Sequence, residues 1–196
     1  MLPKGMLQSL HKEIGMQLDD FRVATMADIA FLVQLVNTAY RPESHTTSWT
    51  HESALITGAR INAQQLIEII SKPDNVLLIA SYQQQWVSCV HLEKKDAQSC
   101  YIGMLTVEPS YQNAGFGKQI LHFAEKYACT HFGARYFVMS VLSARTELLA
   151  FYLRRGYQKT GKLLEYPLTA GVGTPKQADL TIEVLEKSAD FREHTV

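Results

Sequence analysis

The sequence predicts a mixed α/β (α+β) domain, and three observations carry that expectation. Between residues 75 and 107 three apolar runs follow one another across short turns, as in an antiparallel meander. The third run stops at Pro109, and a glycine-bearing turn then opens directly into an amphipathic helix. Beyond it the chain repeats the order strand then helix, which places helices against a sheet.

The elements follow in order. Residues 1–18 read as an N-terminal extension, a short helix or a mobile tail, because Leu7, Leu10 and Ile14 have only weak helical spacing between Gly5 and Gly15. One domain then spans 19–190. Phe21 to Ala24 is a strand, and Met26 to Ala39 is a helix with Ile29, Leu32, Val33 and Val36 on one face. From Tyr40 to Arg60 the chain is polar and irregular. Ala63 to Ile70 is helical and ends before Pro73. Asn75 to Tyr82, Trp86 to Glu93 and Gln98 to Val107 are the three strands of the meander. After the glycine turn, Ile120, Leu121, Ala124, Tyr127 and Ala128 share one helical stripe. Tyr136 to Leu142 is a strand. The next helix has Glu147 in its first turn, Arg154 and Arg155 in its last, and Gly156 where a left-handed cap belongs. Strands from Tyr157 and from Leu180 to Leu185 close the domain, with a loop at 170–175.

Composition excludes several functions. Lysine plus arginine equals aspartate plus glutamate, 19 each, so neither a nucleic-acid nor a membrane-surface partner is expected. The cysteines, Cys89, Cys100 and Cys129, are odd in number and lack metal spacing, so no metal is expected; Cys89 and Cys100 read as buried thiols in a reducing compartment. No run has the length of a membrane span, and the N-terminus lacks a signal-peptide apolar core, which makes the expected location cytoplasmic.

The strand–loop–helix junction at 105–118 carries the chemistry. It gathers unpaired backbone amides and the positive end of a helix dipole at one point, a ready anion site. A P-loop requires Gly where Gln112 stands and Ser or Thr where Gln119 stands, and a dinucleotide fingerprint requires a third glycine. What remains is Gln112-x-x-Gly115-x-Gly117, which resembles the acyl-CoA loop of the GNAT superfamily of N-acetyltransferases. A second piece, Glu147 to Tyr157, resembles that superfamily's last conserved helix, with its tyrosine and its terminal basic residue, glycine and aromatic. With the flanking strands the resemblance covers roughly residues 19–187.

That resemblance implies a mixed central sheet with a largely antiparallel N-terminal meander, flanking helices, and two central strands that splay apart around a pantetheine arm. It implies acetyl-CoA as co-substrate. The amides of Asn113, Ala114, Gly115, Phe116, Gly117 and Lys118, after Gln112, are expected to cradle the pyrophosphate. The Lys118 side chain either adds a charge there or is an exposed helix lysine. Leu105, Thr106 and Val107, near an implied β-bulge, are expected to pair through main chain with the pantetheine and to polarise the thioester. Tyr152 matches the tyrosine beside the thioester sulfur, and a phenol is a sensible donor to a departing thiolate; the plainer reading is a core aromatic beside Leu148 and Leu149.

Two positions depart from the superfamily pattern. Arg145 stands where many members have a cofactor-binding Asn, and it reaches a phosphate, a substrate carboxylate or only solvent. Ser140 and Tyr101 stand where some members have a glutamate, so the general base is unassigned; Glu52, His91 and Glu93 are the candidates, with His51 beside the first. Tyr40, Trp49, Glu52 and Arg60 in the polar 40–60 segment are the expected acceptor-binding residues.

The functional expectation is an N-acetyltransferase acting directly on a primary amine of a small-molecule or amino-acid-like acceptor. Its alternatives are a non-catalytic acyl-CoA-binding or sensing module and a protein (N-terminal or lysine) acetyltransferase. The resemblance also allows a homodimer.

Overall fold

The computed structural model describes residues 16–42 and 51–189. In chain order these form β1 (Asp20–Val23), α1 (Ile29–Tyr40), β2 (Ile56–Thr57), α2 (Ala63–Ser71), β3 (Asn75–Tyr82), β4 (Gln85–Lys94), β5 (Ser99–Val107), α3 (Phe116–Tyr127), β6 (Tyr136–Leu142), α4 (Thr146–Leu153), β7 (Gln158–Glu165), β8 (Thr174–Pro175) and β9 (Thr181–Ser188). Seven strands make one sheet in the order β1-β3-β4-β5-β6-β9-β7, antiparallel everywhere except between β5 and β6. The expected meander is β3-β4-β5.

Both faces of the sheet are covered, which is why its central strands read as unbroken apolar runs. Two-residue alternation sends Leu78, Ala80, Val90 and Leu92 to the face under α3 and α4, where Phe116, Ile120, Leu149 and Tyr152 complete the core. The odd partners, Leu77, Ile79 and Cys89, meet Leu32, Val36 and Leu66 of α1 and α2. Leu18 is only 4% exposed within the first of these cores. Gln119 on α3 accepts from the Leu18 amide (2.8 Å) and donates to the Met16 carbonyl (2.7 Å). The chain is therefore docked from Met16 onward; the expected helix or tail over 1–15 lies outside the described residues.

The first helix begins later than its periodicity suggests. Met26–Asp28 is a 3₁₀ turn and the α-helix starts at Ile29. The Asp28 carboxylate explains the break, since it accepts from the Thr25 amide (2.7 Å) and both arms of the Arg22 guanidinium (2.8 Å each). By contrast α2 is set locally: Asn62 and Gln65 form a reciprocal capping box, each bond 2.9 Å.

Two irregularities of β5 position everything that follows. Its parallel pairing with β6 is confined to Ser99–Tyr101 against Tyr136–Val138. Beyond those residues the two strands part. Between the pairs Cys89–Thr106 and His91–Gly103, β5 advances one residue more than β4, a bulge, and Met104 takes a left-handed φ of 47°. The bulge thus sits at Met104–Leu105, at the N-terminal end of the stretch where the resemblance places it.

Candidate active site

The loop after β5 is held by its own sequence. Gln112 donates its side-chain amide to the Val107 carbonyl (3.0 Å), which ties the loop back to the strand it leaves. Asn113 and Gly115 then take left-handed conformations (φ 66° and 85°), conformations that asparagine and glycine adopt most readily. Gly115 is the N-cap of α3, and its carbonyl accepts from the Lys118 amide (3.1 Å) and the Gln119 amide (3.3 Å). This removes Lys118 from the amides expected at the pyrophosphate and leaves those of Phe116 and Gly117 without a partner within the helix. A Cβ on Gly117 would stand 3.6 Å from Phe151 Cζ and 3.8 Å from Leu105 Cδ2. The protein therefore has room for it. What a side chain there would fill is a cavity of about 310 Å³ bounded by Leu105, Val107, Gly115, Phe151, Arg154 and Arg155.

Helix α4 divides this cavity from a second one. Phe151, with Arg154 and Arg155 just past the helix end, lines the loop cavity, while Leu148 and Tyr152 line the other. The Arg155 guanidinium lies 3.3 Å from the centre of the Phe151 ring and donates to the Phe151 carbonyl at 2.5 Å. Its Nε is buried with no partner. Tyr152 is 6% exposed, and burial pushes its phenol well above its ordinary pKa, reinforced by Tyr40 and Tyr101. It keeps its proton through the physiological range.

The second cavity, about 320 Å³, occupies the gap where β6 leaves β5 and is lined by Tyr40, Glu52, Arg60, Tyr101, Tyr152 and Tyr166 among others. Leu105 lines both cavities. The buried Tyr40 hydroxyl donates to the Leu105 carbonyl at 3.1 Å, so the bulge is gripped from the second cavity's side. Far-separated segments build the outer wall. Arg41 donates to Glu52 (2.7 Å), to the Gly58 carbonyl (3.1 Å) and to the Val172 carbonyl (3.2 Å). Arg145 reaches the other Glu52 oxygen at 3.8 Å, and all three side chains are nearly buried. β2 pairs with β8, Lys176 Nζ donates to the Ser53 carbonyl (2.7 Å), and the Tyr166 hydroxyl donates to the Val172 carbonyl (2.9 Å).

A strand that parts from its parallel neighbour, a bulge, and an open helix N-terminus beside it form an architecture shared with known enzymes. Residues 46–166 match the acetyltransferase (GNAT) domain family. The chain belongs to that family. It is an acyltransferase, and its acyl donor is acetyl-CoA. No curated protein matches the chain by sequence. Among solved structures it is similar to a spermidine N-acetyltransferase from Vibrio cholerae in complex with CoA and spermine, with 16% identity, a TM-score of 0.64 and coverage of 88% of this chain and 95% of the other. It is also similar to a GNAT family acetyltransferase from Elizabethkingia anophelis with acetyl-CoA bound (15% identity, TM-score 0.57, coverage 87% and 97%). Both likenesses show the fold.

The loop cavity fits such a donor: open amides for a pyrophosphate, space at Gly117 that a Cβ would fill, and two arginines at the rim. Among the described residues no helix is long and apolar enough to cross a membrane.

The residues singled out in the sequence divide as follows. Leu105, Val107, Gln112, Asn113, Gly115, Gly117 and Lys118 come together around the loop cavity, with Lys118 exposed. Thr106 is fully buried and donates its hydroxyl to the Met104 carbonyl (3.0 Å), which braces the bulge. Ala114 and Phe116 pack on the core beneath the loop. Arg145 lies beside Glu52 rather than along the loop cavity. Tyr40, Glu52 and Arg60 meet around the second cavity; Trp49 lies outside the described residues. His91 Nε2 is 2.7 Å from Asn75 Oδ1, and burial drops its pKa to about 4, which makes it a weak base. It lines a cleft that adjoins the second cavity, while Glu93 pairs with Lys95 (3.1 Å) at the strand end.

Sequence reasoning did not pick out Tyr166, Val172 or Glu165 as part of the wall. The glycines at 171 and 173 were their only trace, and such glycines mark any loop. It read Arg154 and Arg155 only as charges closing a helix.

Proposed function

We propose that this enzyme transfers the acetyl group of acetyl-CoA directly to a primary amine of a small-molecule or amino-acid-like acceptor in the second cavity. The observation that carries this reading is the shared position of Leu105 and α4: one backbone bulge and one helix border both cavities. A donor entering from the loop and an amine entering from the far side meet at Leu105. The cavity volume is that of a small-molecule site, which favours a small acceptor over a protein lysine or N-terminus.

On this reading the amides at 113–117 hold the pyrophosphate and the main chain of 105–107 aligns the pantetheine. A backbone N–H at the bulge polarises the thioester carbonyl. The amine nitrogen bonds to the carbonyl carbon, the carbon–sulfur bond breaks with its electron pair going to sulfur, and the sulfur takes the phenolic proton of Tyr152. The proton that the nitrogen sheds on becoming an amide passes through water and restores the phenol. Burial suits Tyr152 to the task, because it stays protonated until a strongly basic thiolate appears beside it.

Glu52 is a strut on this reading. Its oxygens face two arginines, so the amine arrives neutral or gives its proton to water. The supporting likeness is the acetyltransferase fold of the two solved neighbours; the acceptor is inferred from the cavity.

Thermal-shift titrations with acetyl-CoA, coenzyme A and ATP in parallel, followed by thiol release over an amine panel, test the proposal. A shift with both coenzyme A species and not ATP, with amine-dependent thiol release, supports it. Binding of acetyl-CoA with no thiol release from any amine would overturn direct transfer to a small acceptor.

A further inference from the structure

The charges around the second cavity say what kind of amine it takes. Glu52 is answered by Arg41 at 2.7 Å and Arg145 at 3.8 Å, so it presents no net negative charge. Glu165 lines the same cavity from the exposed end of β7. Arg60 is different. Its guanidinium lies 5.4 Å from the centre of the Tyr40 ring and has no hydrogen bond or ion pair among the described residues. Its backbone is fixed, because its amide donates to Asn37 Oδ1 at 2.7 Å, and Asn37 also donates to the Ile61 carbonyl at 2.9 Å. Arg60 lines both this cavity and the adjoining cleft, where Glu68 and Lys72 contribute one charge of each sign. The Tyr40 ring that Arg60 stacks on ends in the hydroxyl bonded to Leu105. Arg60 is therefore anchored at its backbone, and its guanidinium lies one tyrosine ring away from the point where donor and acceptor meet.

We infer that the acceptor is an aminocarboxylate, its carboxylate held by the forked guanidinium of Arg60 and its amine delivered beside Leu105 and Tyr152. This deepens the acetyl-transfer reading and rests on it for the identity of the second cavity. A guanidinium binds a carboxylate through two parallel hydrogen bonds, and no group among the described residues takes that fork of Arg60. The same arrangement works against a polycation: spermine, the molecule bound to the Vibrio cholerae neighbour, would meet Arg60 and find the inner carboxylate, Glu52, already neutralised, with Glu165 at the exposed end of β7 as the remaining carboxylate of the lining. The separation of amine from carboxylate in the acceptor is set by the span of the Tyr40 ring, so ω-aminocarboxylates belong in the panel beside α-amino acids.

The test measures binding and turnover separately. Calorimetry on the coenzyme A-saturated protein compares glycine, 4-aminobutyrate, 6-aminohexanoate and L-lysine, each with its primary amide, and spermidine. Thiol release from acetyl-CoA is read on the same compounds. At least one aminocarboxylate is expected to bind about tenfold or more tighter than its amide. Arg60→Gln should erase that difference without changing coenzyme A affinity, and Arg60→Lys should recover part of it. The inference is overturned if carboxylates and amides bind alike, if spermidine binds more tightly than every aminocarboxylate, or if Arg60→Gln weakens acid and amide equally. Arg60-dependent carboxylate binding without thiol release would sink the acetyl-transfer reading and leave the anion site standing. Spermidine turnover without carboxylate binding would do the reverse.

Discussion

The two halves of the proposed site are built on opposite principles. The donor side is local: the Gln112–Val107 bond, the left-handed turns at Asn113 and Gly115 and the opening of α3 all arise within one short stretch, 107–118. The acceptor side is assembled across the chain, with Arg41 alone joining Glu52 to the carbonyl of Val172, which lies 131 residues beyond Arg41 itself. Backbone amides and a glycine make a surface for phosphate that any sequence of this pattern can fold, whereas the acceptor wall depends on buried side chains finding distant partners. Damage to the first should cost ligand affinity and leave the fold alone. Damage to the second should cost both.

The largest expected effect is on the acceptor side. Glu52→Ala leaves Arg41 and Arg145 buried without the carboxylate between them, and should lower unfolding free energy by roughly 3–5 kcal/mol, as measured by denaturant melts. If stability holds and only kcat falls, Glu52 is a base and the strut reading is wrong. Next is Tyr152→Phe, on the helix between the halves. It should cut kcat by about 100-fold or more at unchanged acetyl-CoA affinity; thiol-release kinetics beside calorimetry decide it, and an unaltered kcat removes the phenol from the chemistry.

Gly173→Ala probes the interlock. A Cβ there would stand 2.5 Å from the Thr57 carbonyl, at a φ of 98°. A loss of about 1–3 kcal/mol and a raised acceptor KM are expected, with acetyl-CoA affinity kept. Gly117→Ala is its mirror on the donor side: the Cβ has room in the protein but intrudes on the cavity. Acetyl-CoA affinity should drop about tenfold by titration while the melting temperature holds or rises, since alanine favours the helix by up to about 1 kcal/mol. Equal losses of stability and affinity would erase the contrast between the halves.

The smallest effect at neutral pH belongs to His91. Its folded pKa, about 4, is below the ordinary 6.5, so the unfolded chain binds the extra proton first. Stability is full above 6.5 and falls as the pH drops toward 4, by roughly 1 kcal/mol at pH 5.5. A His91→Gln variant melted across this range should lack that component of the slope.

These contrasts bear on how much of the molecule was readable beforehand. The strands at 75–82 and 136–142, the capped helix at 63–71 and the glycine loop after β5 are fixed by apolar runs, capping residues, Pro73, Pro109 and glycines acting over a few residues, and the chain alone specifies them. It also placed Tyr152 on the helix that faces the thioester in the family it resembles. Arg145 shows the limit. As a sequence position it had three readings, a phosphate, a substrate carboxylate or solvent, and the fold gave it a fourth place, buried beside Glu52. The short pairing of β2 with β8, the cavity walls from Tyr166 and Val172, the anchored backbone of Arg60 and the left-handed turn at Met104 inside an apolar strand left no trace in local pattern. Their partners are far apart along the chain, and the bonds that hold them form only once the sheet has brought those segments together.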